Sequence, residues 1–414
     1  MDQKKGYKKT KIGWIPEDWE LDIFENLFDD RKELNNNELP LLAVTNSDGI
    51  VLRNTLSKKD TSASDKSKYK TVYPNDIAYN TMRLWQGVSG LSNYKGIVSP
   101  AYTVLKPKEE VYSPFYQYLM KTEWMISWFL RFSSGICSDT NNCKYPAFKK
   151  IPALLPPLPE QKKIASILTT VDDKISSIEN QIQQTEQLKK GLMEKLLTEG
   201  IGHTEFKDTV IGRIPEGWSI EKLKIICHKI FVGIATSTSE HYTDSGVPII
   251  RNQNIKENSI STNDLLMITE EFNNKNHSKK LKEGDVITVR TGYPGISCVV
   301  PKEFENTQTF TTLVSRPKKG IINSDYLSRY INSEIGKKLV LSNQAGGAQQ
   351  NLNVNRLKEI PIAIPSIREQ ENIVKITTIV EAKIEVITQK KYQYQTLKKG
   401  LSQQLLTGQM RVTV

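Results

Sequence analysis

The stretch IGWIPEDW (Ile12 to Trp19) returns 199 residues later as IGRIPEGW (Ile211 to Trp218). A second string, LKKGLMEKLLT (Leu188 to Thr198), returns 209 residues later as LKKGLSQQLLT (Leu397 to Thr407). Two matched pairs at nearly equal offsets in 414 residues mark an internal duplication. Each copy reads as a mixed globular head followed by a long helix. Two similar heads on two similar helices point to pseudo-twofold symmetry, and a two-headed molecule suits a duplex with two half-sites.

The helices follow proline-rich hinges. After IPALLPPLPEQ, the apolar positions Ile164, Leu168, Val171, Ile175, Ile178, Ile182 and Thr185 alternate steps of four and three, a heptad seam. Pro159 suits the first turn of a helix, and Glu160 places negative charge at its N-terminus. The second copy runs Ile373, Thr377, Val380, Ile384, Ile387, Lys391, Tyr394, then Leu397, Leu401 and Leu405, with Thr377 and Lys391 as polar intrusions. About forty helical residues span roughly 60 Å. One isolated stripe reads best as the core face of a bundle helix. Two matched seams favour pairing with each other, antiparallel within the chain, with homodimerisation as the competitor. Gly191 and Gly400 fall inside the helical pattern, where each costs about 1 kcal/mol relative to Ala. Their retention in both copies points to close approach of another backbone, with a local bend as the alternative.

The expected class is therefore α+β. Residues 1–158 form a first mixed α/β head, 159–199 a first long helix, 200–367 a second head, and 368–414 a second helix and tail. Short β-like runs appear at Leu41 to Val44, Ala101 to Leu105, VPIIRNQNI (Val247 to Ile255) and DVITVRTG (Asp285 to Gly292). A helical piece is expected at Phe115 to Trp128.

Net charge is +11, with a pI near 9.2. The first helix carries six Lys against seven acids, and the second seven Lys or Arg against four acids. Most of the positive excess thus lies in the heads, where a surface facing a polyanion needs it. The four cysteines form no CxxC pair, and free thiols in a reducing compartment are favoured over a Cys137–Cys143 disulfide. The N-terminus lacks the apolar stretch of a secretory signal, and no run reaches the roughly 18 apolar residues of a membrane span. A cytoplasmic protein with no membrane partner is expected.

The heads share a landmark. PNDIAYNTMRLWQG (Pro74 to Gly87) aligns with EGDVITVRTGYPG (Glu283 to Gly295), placing Asp76 on Asp285. Each is an acidic turn, a strand, and a Gly-containing loop bearing Arg and an aromatic: Arg83 with Trp85, or Arg290 with Tyr293. Arg can bond two guanine edge atoms, and Asn or Gln two adenine atoms, so Asn80 and Gln86 join the candidates. A surface Arg paired with a carboxylate is the bland reading of either site. Weaker candidates are Arg251, Asn252 and Asn254, Gln349 and Gln350 in GGAQQNLN, and Lys95 and Ser99 as phosphate contacts. Such loops are commonly solvated turns.

No GxxxxGK[ST] phosphate loop, glycine-rich dinucleotide motif, HExxH or GxSxG string appears, and no carboxylate pair stands out. The residues nominate no catalytic group and no metal ligand.

The openings GWIPEDW and GRIPEGW, the hinges IPALLPPLPEQKKI and IPIAIPSIREQENI, the LKKGL…LLT helix ends, and the strings VYPNDIAYNTMRLWQG and KLKEGDVITVRTGYPG, in this order, resemble the DNA-specificity subunits of type I restriction-modification systems. Arg368, where the first hinge has Pro159, is a departure expected to perturb the second helix entry. The resemblance implies two target-recognition domains reading the halves of a bipartite double-stranded DNA target. Paired helices set the gap and dock methyltransferase subunits. The broadened leucine ends, Leu188, Leu192, Leu196, Leu397, Leu401 and Leu405, are the docking candidates. S-adenosylmethionine, ATP and Mg²⁺ are then expected on the methyltransferase and restriction subunits, and none on this chain. Dissimilar heads imply an asymmetric target. Two other readings compete: a Mg²⁺-dependent nuclease using scattered carboxylates, and a coiled-coil scaffold with basic heads and no sequence readout.

Overall fold

The computed structural model describes residues 5–34, 39–45, 49–57, 60, 62–135, 141–341 and 351–413. Gln349, Gln350 and Cys137 lie outside them. The chain divides into two compact units, Met1–Asn180 with Thr388–Val414, and Gln181–Ile387. The long helices Leu158–Thr198 and Ile367–Leu405 each contribute one part to either unit.

The first unit opens with a hairpin, Tyr7–Thr10 against Gly13–Pro16, whose tight turn requires Gly13 at φ +117°. Trp19 follows and is fully buried. The central sheet is antiparallel and four-stranded, in the order Phe28–Asp30, Tyr102–Pro107, Ile77–Asn80, Ser89–Leu91. The expected helix at 115–128 is two helices, Ser113–Leu119 and Glu123–Arg131. Thr122 separates them because its side chain accepts the Met125 N–H as an N-cap. An aromatic core of Phe24, Phe28, Tyr116, Phe129 and Phe148 packs with Ile164 and Leu168 of the first long helix and Leu405 and Leu406 of the second. In this unit the helix segments run antiparallel: Lys398 pairs with Asp172 at 2.6 Å and Lys391 with Glu179 at 2.9 Å. Lys391 thus finds a carboxylate at the edge of the seam.

The second unit repeats the plan. Phe206–Thr209 pairs with Gly212–Pro215 in the same register, and Trp218 is buried. Its central sheet runs Cys227–Val232, Leu313–Pro317, Val286–Thr288, Ser297–Val299, again antiparallel. Between Trp218 and Asp285, an interval ten residues longer than that from Trp19 to Asp76, lie three strands of a further four-stranded sheet, in which Val247–Arg251 pairs in parallel with Gln308–Phe310. Met193, Leu196, Leu197 and Ile373 of the long helices enter this unit's core. Thr377, buried in the seam, donates to the carbonyls of Ile373 and Val374, so its hydroxyl is satisfied without a partner helix.

Three expectations about the helices change. A Cβ built on Gly191 or Gly400 meets nothing within 4 Å, so neither glycine marks a close backbone approach. Arg368 leaves the helix entry intact, because the helices start at the matched positions Leu158 and Ile367. There Gln161 and Gln370 make the same three bonds. Each accepts a backbone N–H (Tyr112, Asn323) and donates to two carbonyls (Glu110 and Pro156; Ile321 and Pro365). Leu196 is buried in the core of the second head and Leu405 in that of the first, Leu192 and Leu401 are half-buried, and of the six only Leu188 and Leu397 are exposed. The six leucines therefore do not form one free strip.

Cys143, Cys227 and Cys298 are free and buried, and burial pushes each thiol up to about 12. Among the described residues no helix is long and apolar enough to cross a membrane.

Candidate nucleic-acid interface

Each head projects one loop from the end of its second central hairpin. The base of that hairpin is fixed by a buried aspartate. Asp76 accepts the Tyr73 N–H and a two-pronged grip from Arg31 at 2.7 and 3.0 Å. Asp285 accepts the Lys282 N–H and the same grip from Arg316 at 2.8 and 2.7 Å. The carboxylates are equivalent, but Arg31 comes just after the strand Phe28–Asp30, whereas Arg316 lies within Leu313–Pro317. Burial lifts the Asp76 carboxyl above its usual range despite the Arg31 charge. These paired groups brace the strand, and the loop at its far end is left to make outside contacts.

In the first head that loop is Thr81 to Val88. Asn80 closes it by accepting the Met82 N–H at 3.0 Å, and Trp85 donates its indole N–H to the Met82 carbonyl at 3.0 Å. A 3-10 turn, Leu84–Gln86, buries Leu84 and leaves Arg83 and Gln86 exposed. Lys121 donates to the Gly87 carbonyl at 2.6 Å and ties the loop to the helix behind it, and burial holds its ammonium down at about 8. Met82 is also exposed. Ser99 belongs near this loop, since Ala101 accepts the Thr81 N–H. Lys95 does not: it lies over the Tyr73 ring, at the aspartate end of the hairpin.

In the second head the loop is Val289 to Ile296. Arg290 donates to the Asn351 side chain at 3.1 Å, and its carbonyl accepts the Leu352 N–H. Asn252 donates to the Thr291 hydroxyl at 2.9 Å. Three segments distant in sequence, around 252, 290 and 351, therefore meet here. Tyr293 stands 79% exposed beside Gly292, whose φ of +85° turns the chain outward. The bond from Leu352 to Arg290 matches that from Cys143 to Thr81 in the first head, so the two loops stand on equivalent supports.

Two sequence candidates prove to be turn-formers. Asn254 is buried, and its amide is used by the Arg251 N–H and the carbonyls of Ser261 and Asn263, leaving no edge for a base. Arg251 gives one terminal guanidinium nitrogen to the carbonyl and carboxylate of Asp264. Sequence reasoning missed Met82 and the bracing role of Asn351. An apolar residue between polar ones and an amide in an amide-rich loop carry almost no signal alone. Among the described residues no group of three or more His, Cys, Asp or Glu could hold a metal ion.

The family model described as the type I restriction modification DNA specificity domain matches residues 22–187 and again 215–394. Two curated relatives from Methanocaldococcus jannaschii are similar over 99% of this chain. The putative type I restriction enzyme MjaX specificity subunit is 26% identical, with 98% of its own length covered. The MjaVIII specificity subunit is 28% identical, with 97% covered. Among solved structures, a chain from a study of complex assembly and conformational transition of the type I R-M system superposes with a TM-score of 0.62 at 15% identity, covering 96% of this chain and 99% of that one. The type I S subunit from M. genitalium gives 0.52 at 14%, covering 94% and 96%. These likenesses support the fold of paired mixed heads and long helices. Because the family model matches both halves, and most of the chain with them, this protein belongs to the family of the type I restriction modification DNA specificity domain.

Proposed function

We propose that this chain is the DNA-specificity subunit of a type I restriction-modification complex. It reads a bipartite, asymmetric double-stranded target and directs methyltransferase and restriction subunits to it. The observation that carries this reading is the pair of hairpin loops. The heads share the aspartate clamp, the strand order and the loop supports, yet present different side chains at the tips. Arg83, Gln86 and Met82 stand on one, and Tyr293 and Arg290 on the other. One scaffold with two tips is what reading two unlike half-sites requires.

Loop residues are the first candidates for base contact: in the first head Asn80, Arg83 and Gln86 through polar groups and Trp85 through its ring face, and in the second Asn252, Arg290 and Tyr293. Ser99 and Lys95 are candidates for phosphate. The chain addresses the complex and leaves catalysis to partners. The buried carboxylates Asp76, Glu160 and Asp285 and the half-buried Glu369 are all engaged in structural ion pairs or hydrogen bonds. S-adenosylmethionine, ATP and Mg²⁺ then act on the partner subunits, in the cytoplasm. Partners dock on the long helices where apolar side chains face outward: Leu188, Ile379 and Val386 in the second unit, Tyr392 and Leu397 in the first.

Long-read methylation mapping of host DNA, with the gene intact and deleted, tests the proposal. Disappearance of one asymmetric, gapped methyl-adenine motif is the expected result. An unchanged methylation pattern in a host whose methyltransferase is expressed counts against it.

A further inference from the structure

The two long helices end in similar ways. After each, a glycine takes a left-handed conformation, Gly200 at φ +67° and Gly408 at φ +69°, and the next few residues enter a socket on a head. Both sockets are built on a tryptophan bonded to a glutamate in the first turn of a long helix. Trp19 donates to Glu160 at 2.7 Å, and Trp218 donates to Glu369 at 3.1 Å.

The side chains that fill the sockets differ. In the second unit His203 meets Glu369 through one nitrogen at 2.9 Å, and the Ile201 N–H adds a bond to the same oxygen. In the first unit Arg411 spreads a fork: Nε to Glu160 at 2.8 Å, and one terminal nitrogen to both Glu160 at 2.9 Å and Asp18 at 2.7 Å. The Arg411 guanidinium also holds the Asp18 carboxyl below its ordinary range. Tyr7 donates to the Gly408 carbonyl at 2.8 Å. The register that matches the opening hairpins puts Gly217 where Asp18 stands and Phe206 where Tyr7 stands. The second head therefore lacks two of the groups that hold the arginine segment.

Chain connectivity gives the physical reason. His203 lies three residues before the strand Phe206–Thr209 of its own socket, so its local concentration there is set by a very short tether. Arg411 is 251 residues from Glu160 and 393 from Asp18. Its segment must be held by bonds that a tether makes unnecessary in the other copy.

We propose that the first head carries a recognition site for an arginine-bearing helix end, formed by Tyr7, Asp18, Trp19 and Glu160, with Arg411 of this chain as its key. The site discriminates between the two helix ends of the duplicated chain. It takes the forked cation and gives a single-point histidine less than half of its bonds.

Hydrogen exchange of the full chain, without DNA or partners, tests this independently of any role in methylation. The readouts are the amides of 405–412, where Met410 N–H bonds to the Gln404 carbonyl, and those of 199–204. Arg411→Ala is expected to speed exchange in 405–412 at least ten-fold. Arg411→Lys keeps the charge but loses the fork, and should do nearly as much. His203→Ala should change 199–204 less than three-fold. Asp18→Gly with Arg411→His copies the second unit's set into the first and should leave 405–412 open. Exchange in that double variant at the wild-type rate would overturn the proposal, as would an unchanged rate in Arg411→Ala. Should Arg411→Ala unfold the whole head, Asp18→Asn decides. Faster exchange in 405–412, with the strand Ile77–Asn80 still protected, supports the site. Unchanged exchange there overturns it.

Discussion

The two units grip their long helices at matched positions with different chemistry. In the second, Glu381 is bound by Arg329 at 2.7 Å, by Asn258 at 3.2 Å and by Lys189 at 3.1 Å, and Arg329 also donates to Thr378. In the first, Asp172 is bound by Lys398 and by the Tyr118 hydroxyl at 2.9 Å. Tyr118 lies where Arg329 stands in the second unit, each six residues after the N–H that Gln161 or Gln370 accepts, and Gly49 turns over the edge strand much as Asn258 does in the second unit, both at positive φ. Gly49 has no side chain to extend, and a cleft of about 1760 Å³ opens there, lined by Trp14, Gly49, Gly90, Lys121, Trp124 and Glu179 among others. A duplicated fold has thus kept its carboxylate–lysine pair while one copy uses a buried guanidinium and the other a phenol. Burial raises the Tyr118 hydroxyl well above its ordinary value, so it remains a neutral donor. The comparison separates what the architecture needs, a polar tie from head to helix, from what it leaves free, the identity of the donor.

The features common to both units should cost most to remove. Trp19→Ala and Trp218→Ala are each expected to destabilise their own unit by about 3–5 kcal/mol, read by chemical denaturation with a probe in each unit. Markedly unequal losses would break the equivalence of the sockets. Next in size is Arg329→Ala, which leaves Glu381 underpaired and costs about 3 kcal/mol in the second unit. If it costs no more than a surface mutation, the guanidinium is not the stronger tie. Gly90→Ala brings a Cβ to 2.6 Å from the Gly49 backbone and should cost about 1–3 kcal/mol in the first unit only. The smallest effect on stability belongs to Tyr118→Phe, about 1 kcal/mol, since the hydroxyl's bond to the part-exposed Asp172 carboxylate is lost and Lys398 stays. At the loop tips, Arg83→Ala and Tyr293→Ala should each weaken binding of a single half-site, by about 1–3 kcal/mol, in competition between duplexes altered in one half. Loss of both halves in either variant would argue against independent heads.

Much of the architecture was legible because it rests on residues with narrow backbone or packing demands. Gly13 and Gly212 fix the hairpin turns, Trp19 and Trp218 fill the same core position, and the hinge prolines precede helices that start at matched residues. Periodicity located the seams. It could not show that Leu196 enters the core of the second head and Leu405 that of the first, because an apolar stripe does not say which surface covers it. The glycines at 191 and 400 misled for a related reason: a helix tolerates an open glycine at modest cost. In the candidate site, Arg83, Arg290 and Tyr293 were nominated from loop composition. The meeting of Asn252, Thr291, Arg290 and Asn351 was not, since those residues converge only when distant strands pair.

By itself the sequence determined the duplication, the order of heads and helices, and the positive excess of the heads, since these follow from local pattern and composition. Tertiary structure alone decided which amides are free and which, like Asn254, are consumed in a turn. It also decided which arginine holds each buried aspartate, and that Arg411 belongs to Glu160 and Asp18. Hydrogen bonds and ion pairs act over about 3 Å. Their partners are therefore set by where the backbone brings side chains together, and no spacing along the chain encodes that.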